Sequence, residues 1–132
     1  MNARPRAWMQ QARNDLAAAE LMRDNKFHAQ ACYLASQAAE KGLKGLILEL
    51  GLQPPRTHVL TQLLNMLQTS SVDTTELDAL ALNALTRMGA TSRYPLEDTP
   101  PGDLFDRQDA ERAIATAAAV LAATDRLNQP SG

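Results

Sequence analysis

Few residues in this chain can form crosslinks, bind metal, build strands or cross a membrane. There is one cysteine, Cys32, so no disulfide can form within the chain, and no repeated Cys spacing suggests a zinc site. Neither His28 nor His58 has a second histidine three or four residues away, so a histidine-rich metal site is not expected, and no cofactor is implied. Val, Ile and Phe together number seven, against 23 Ala and 20 Leu, which lowers the cost of helix and leaves almost no strand-forming runs. No apolar run approaches the roughly 20 residues that span a bilayer. The stretch around Trp8 carries charges where a signal peptide has an apolar core, so a cytoplasmic, reducing setting is the expectation.

A large excess of positive charge is also missing. The formal net charge is -2, which argues against bulk electrostatic binding to long nucleic acid or anionic membrane, while leaving room for a small basic pocket. The charge is uneven: residues 1–58 carry eight Arg/Lys against five acids, and residues 59–132 carry five against ten. At 132 residues the chain suits one domain with one core, ordered over about 5–127.

What is present reads as five amphipathic helices. The first runs from Pro5, comfortable at a first helical position, to about Asp24. Trp8, Ala12, Ala19 and Met22 share its apolar face, and Asp15 falls in the middle of that face. A second helix spans about 27–50 and ends at Gly51. One side carries the small residues Ala31, Ala35, Ala38, Gly42 and Gly45, and another carries Tyr33, Gln37, Lys41 and Lys44 with Glu40 beside them. Glycine inside a helix costs about 1 kcal/mol relative to alanine, so close approach of another helix or a ligand is implied. A third helix is expected over 57–68 after the stiff Pro54-Pro55 pair, and a fourth over 73–88, opened by an Asp73–Glu76 capping box. Residues 89–103 read as a loop, 106–127 as an alanine-rich fifth helix, and residues beyond Leu127 as a fraying end. Short connections between such helices favour an antiparallel all-α bundle of four to five helices. The thin last helix and the small-residue row point to a large neighbour or a homodimer.

Several polar residues stand out. Asp15, on an apolar face, needs a cationic partner, with Arg93 the preferred candidate. Glu40 and Lys44 have the favourable i,i+4 order of a helical ion pair. His58 opens a helix, where a neutral ring donating to a carbonyl or carboxylate is better placed than a charged one. Arg93 offers a fork of donors suited to carboxylate or phosphate, and Tyr94, held extended by Pro95, can stack on a base.

The ordered set of Trp8, Ala12 and Asp15, then Ala38-Ala39-Glu40-Lys41 with Lys44, Gly51, His58 with Leu60 and Leu63, and Ser92-Arg93-Tyr94-Pro95 resembles the higher eukaryote and prokaryote nucleotide-binding (HEPN) domain. The resemblance covers about Trp8 to Leu127. It implies a helical bundle, commonly dimeric, and, for small prokaryotic members, pairing with a separate minimal nucleotidyltransferase in a toxin–antitoxin arrangement. Some members are metal-independent ribonucleases that use an Arg with a His four to six residues beyond it. Arg93 matches that arginine in position, but no histidine follows His58 in this chain. The expectation is therefore a binding subunit with Lys41, Lys44, Arg93 and Tyr94 near a nucleotide or RNA phosphate, supported by Asp15, Glu40 and His58. Two alternatives stand beside it: a ribonuclease toxin using Arg93 with His58, and a purely structural or protein-interaction module.

Overall fold

The computed structural model describes residues 3–95 and 97–128. Its helices are α1 (Ala3–Asp24), α2 (His28–Glu49), α3 (Leu60–Thr69), α4 (Thr75–Asp78), α5 (Leu82–Thr91), α6 (Pro101–Leu104) and α7 (Arg107–Leu127). The expected fraying end, past Asn128, lies outside the described residues.

The bundle is organised around α2, which packs against α1, α7, α5 and α3. Its small residues make this possible. A methyl group added at Gly42 would sit 2.5 Å from Leu121 Cδ2 on α7, and one at Gly45 would sit 2.9 Å from Met9 Sδ on α1. The small-residue row thus brings α1 and α7 close within the chain. The alanine-rich α7 leans on α2 in the same way: Ala110, Ala113, Ala117 and Ala123 are all buried. Leu43 and Ile47 of α2 meet Leu60, Leu63 and Leu67 of α3, with Leu77, Leu85 and Val120, in the continuous apolar core. Burial of these large side chains supplies most of the favourable free energy, because alanine removes little apolar area per residue.

Helix ends follow local chemistry. After α1, Lys26 N–H donates to Arg23 O and Phe27 N–H to Met22 O, and the chain reverses directly into α2. The same paired bonds recur after α2, through Gly51 and Leu52, and after α3, through Ser71 and Val72. Each places its first residue in the left-handed region, with φ 67° at Lys26, 79° at Gly51 and 64° at Ser71. Asp106 caps α7 by accepting from Asp109 N–H, while the Asp109 side chain accepts from Asp106 N–H.

Four expectations from the sequence need correction. The third helix starts at Leu60 and not at 57, so His58 lies in the segment before it and does not open a helix. The fourth helix is two pieces, because the chain breaks between Asp78 and Leu82. At the start of α5, Leu82 is buried and Ala81 is exposed. The capping box at Asp73 does not form: Asp73 accepts from Thr75 N–H and Thr75 Oγ1, which closes a local turn ahead of the helix. The 89–103 loop is shorter than expected, since α5 continues to Thr91 and α6 forms a helical turn at Pro101.

Candidate functional site

A cleft of about 160 Å³ opens where α2, the segment before α3, and α5 converge. Ser36, Gln37 and Glu40 line it from α2, His58 and Val59 from the approach to α3, and Arg93 from just beyond α5. Its floor is set by the approach of α5 to α2 at Gly89, where an added methyl would collide with Ser36 Oγ and lie 2.8 Å from Ser36 Cβ. Two bonds hold the His58 segment in place. Leu60 N–H donates to Thr86 Oγ1 of α5 at 3.1 Å, and Val59 N–H donates to Thr57 Oγ1 at 3.1 Å.

Glu40 sits at the centre of the polar network. It is 5% exposed, and its two oxygens have different partners: Lys44 Nζ donates to Oε2 at 2.9 Å, and His58 Nδ1 lies 2.7 Å from Oε1. A carboxylate acceptor assigns the proton to Nδ1 and leaves Nε2 as the free ring nitrogen. The His58 ring is 68% exposed, so that nitrogen is open to solvent and ligand while its partner is buried. Glu40 and Lys44 cancel in charge.

Arg93 has no ion pair or hydrogen bond among the described residues. Its guanidinium lies over two rings, 5.3 Å from the Tyr33 centroid and 5.7 Å from that of Tyr94. Cation–π contact holds the plane without using up its fork of donors. Tyr94 is itself exposed.

The remaining predicted residues, Asp15 and Lys41, lie at the seam of α2 with α1, one helical turn from Gln37. Asp15 is buried at the α1–α2 seam, where its Oδ2 receives Lys41 Nζ at 2.5 Å and its Oδ1 receives Gln11 Nε2 at 2.8 Å. The cationic partner of Asp15 exists, but it is Lys41 and not Arg93. The physical reason is proximity: α1 and α2 form a tight antiparallel pair, and Lys41 reaches across it, whereas Arg93 is engaged with tyrosines. The structure therefore groups Glu40, Lys44, His58 and Arg93, with Tyr94 joined through Arg93, and places Asp15 with Lys41 elsewhere.

Tyr33, Thr86 and Gly89 were not singled out from sequence for this site. Tyr33 lies on the half-buried polar side of α2, a face visible in the sequence, but its contact with Arg93 joins residues 60 positions apart. Cys32 takes no part: burial, with Asp109 and Asp106 nearby, pushes its thiol from 9.0 up to about 12, so it is not a poised nucleophile. Among the described residues, no group of three or more His, Cys, Asp or Glu could hold a metal ion, and no helix is long and apolar enough to cross a membrane.

A helical bundle with its polar cleft between the central helix and its neighbours defines the class of protein. The chain belongs to the HEPN family, whose HEPN domain model matches residues 5–127. It is similar to TT1696 from Thermus thermophilus, with a TM-score of 0.88 and 34% identity over 96% of this chain and 99% of that one. The fold is shared with the archaeal HEPN homologue ST0689, at a TM-score of 0.75 and 23% identity over 98% of this chain and 100% of that one. It is shared too with a Thermotoga maritima HEPN domain protein, at 0.69 and 21% over 92% and 96%. No curated protein matches the chain.

Proposed function

We propose that this chain is a binding subunit that takes a nucleotide or RNA phosphate in the Glu40–His58–Arg93 cleft. The observation that carries the reading is Arg93: a guanidinium at a cleft, flanked by two aromatic rings and free of any carboxylate among the described residues. A planar fork of donors beside stacking surfaces suits a phosphate attached to a base. Lys44 serves by offsetting Glu40, so the cleft does not repel an anion. Lys41 stands one helical turn from Gln37, on the outer flank. Membership in the HEPN family agrees with a nucleotide-directed role. By the same resemblance, the working unit is a cytoplasmic homodimer paired with a separate minimal nucleotidyltransferase. Native mass spectrometry of the complex purified from its source reports stoichiometry, partner and ligand together. Titration with uridine monophosphate tests the site itself, with weaker binding expected after Arg93→Ala and unchanged binding counting against it.

One observation favours a second reading, metal-independent ribonuclease activity. His58 and Arg93 line the same cleft, although 35 positions separate them in the chain. A ring held at Nδ1 by a buried carboxylate presents Nε2 as a proton acceptor, and a guanidinium stabilises phosphorane charge. Cleavage of single-stranded RNA that disappears in a folded His58→Ala variant would establish this reading. Intact RNA after prolonged incubation would leave the binding role.

A further inference from the structure

A second, more open cleft of about 230 Å³ lies further along the half-buried polar strip of α2, lined by Ala7, Trp8, Gln11 and Lys41. Gln37 lines the first cleft and Lys41 the second. Gln37 and Lys41 are one helical turn apart, so the two clefts adjoin along α2, and the helix rises about 12 Å from Tyr33 to Lys41. The polar strip therefore runs from an aromatic pair, Tyr33 and Tyr94 around Arg93, past Gln37, to a third aromatic side chain, Trp8, beside Lys41.

The geometry points to a single-stranded RNA path along α2, with one unpaired base at the tyrosines and another, further along the strand, on Trp8. This rests on the nucleotide reading of the Arg93 cleft and extends it from a mononucleotide pocket to a strand of several nucleotides. Two features favour a strand over a separate small molecule. Aromatic surfaces at intervals along a polar groove match stacking of successive unpaired bases, which is tolerant of sequence. Charge along the strip is also mostly internal: Lys41 is paired with Asp15 and Lys44 with Glu40, leaving Arg93 as the free cation lining it among the described residues. Such a groove gains its affinity from stacking more than from phosphate neutralisation, and a duplex, whose bases are already stacked and paired, does not fit it.

Trp8 is the only tryptophan in the chain, so its fluorescence reports occupation of the second cleft with no substitution. The experiment titrates the intact protein with uridine monophosphate, then with oligouridylates of two and four nucleotides. Expected is quenching of Trp8 by the tetranucleotide but not by the mononucleotide, and binding tighter on the order of ten-fold or more for the longer ligand. A Trp8→Leu variant should lose that gain and keep the mononucleotide affinity. Affinity independent of length with unquenched Trp8, while Arg93→Ala still weakens binding, overturns the path and leaves the first cleft standing. Duplex RNA bound as tightly as the single strand also overturns the path. Binding of every ligand unaffected by Arg93→Ala overturns the first cleft as well.

Discussion

Lys41 Nζ lies 2.5 Å from Asp15 Oδ2, a link between the middles of α1 and α2 that is sheltered unequally: the lysine side chain is 25% exposed and the aspartate 8%. Inequality of burial makes the two truncations unequal. In Lys41→Ala, a buried carboxylate keeps only the amide of Gln11, and the loss should be about 3–5 kcal/mol, the range for a stranded buried charge. In Asp15→Ala the lysine can turn to water, and the loss should be about 1–3 kcal/mol. Urea unfolding of both variants checks the order; the reverse order would show the lysine to be the more sheltered partner, and two small losses would show the pair to be solvated. Asp15→Leu combined with Lys41→Met should recover much of either loss, because no charge is then left buried.

Lys26 and Ser71 occupy left-handed positions that glycine fills without steric cost, at φ 67° and 64°. A side chain there costs about 1–2 kcal/mol, partly offset because glycine also loosens the unfolded chain. Lys26→Gly and Ser71→Gly should each stabilise by about 0.5–1 kcal/mol. Gly51→Ala, at φ 79° with open space around it, should destabilise for the reverse reason. Thermal unfolding of the three variants gives the signs directly.

These turns also show where the sequence was legible and where it was not. Gly51 announced the end of α2, and Asp106 with Asp109 announced the start of α7, because the residue types match what the backbone needs there. Ser71 carries no such signal, so the end of α3 was readable only to within a residue or two. The break between α4 and α5 was hidden for another reason. Leu77, Leu80, Ala81, Ala84 and Leu85 fit one helical stripe well, yet Leu82, outside that stripe, is buried where α5 begins. At the site, Glu40 and Lys44 were legible as an i,i+4 pair on one helix. The contacts His58–Glu40 and Arg93–Tyr33 join different elements, and no periodicity predicts them. Asp15 illustrates both cases: the need for a cation was readable from its apolar face, but the choice of Lys41 over Arg93 was fixed by how α1 and α2 pack.

Cys32 should give the fold an alkaline limit. Its thiol is pushed from 9.0 to about 12 in the folded protein. Above pH 9 the unfolded chain loses this proton first, so the folded state binds more protons and stability falls as pH rises. The fall approaches about 1.4 kcal/mol per pH unit until the folded thiol itself ionises. Other groups titrate in this range, so the measurement is the difference between the parent and Cys32→Ala. That difference should shrink from pH 8 toward pH 11, and a difference independent of pH would contradict the buried thiol. At pH 8 the folded protein should also react with a thiol reagent only at the rate of unfolding.

The division of labour between Arg93 and Lys44 can be resolved by a cycle of variants. Arg93 has free donors among the described residues, so in the proposed site it is the direct contact to the anion. Arg93→Ala should weaken uridine monophosphate or oligouridylate binding by about ten-fold or more, the scale of a charge-assisted hydrogen bond. For a single strand it should also lower the salt slope by about 0.7, the value for one phosphate contact. Arg93→Lys restores the charge but not the planar fork, and should recover only part of the affinity. Lys44 is buried with its ammonium on Glu40, so its effect should be indirect. Lys44→Ala leaves the Glu40 carboxylate facing the ligand uncompensated, which should reduce both stability and anion affinity. Adding Glu40→Gln removes that charge, so the double variant should regain affinity while Lys44 is still absent. Coupling of this kind is what the double-mutant comparison isolates. If Lys44 instead touches the phosphate, Glu40→Gln will not rescue binding, and the salt slope will drop in Lys44→Ala as it does in Arg93→Ala.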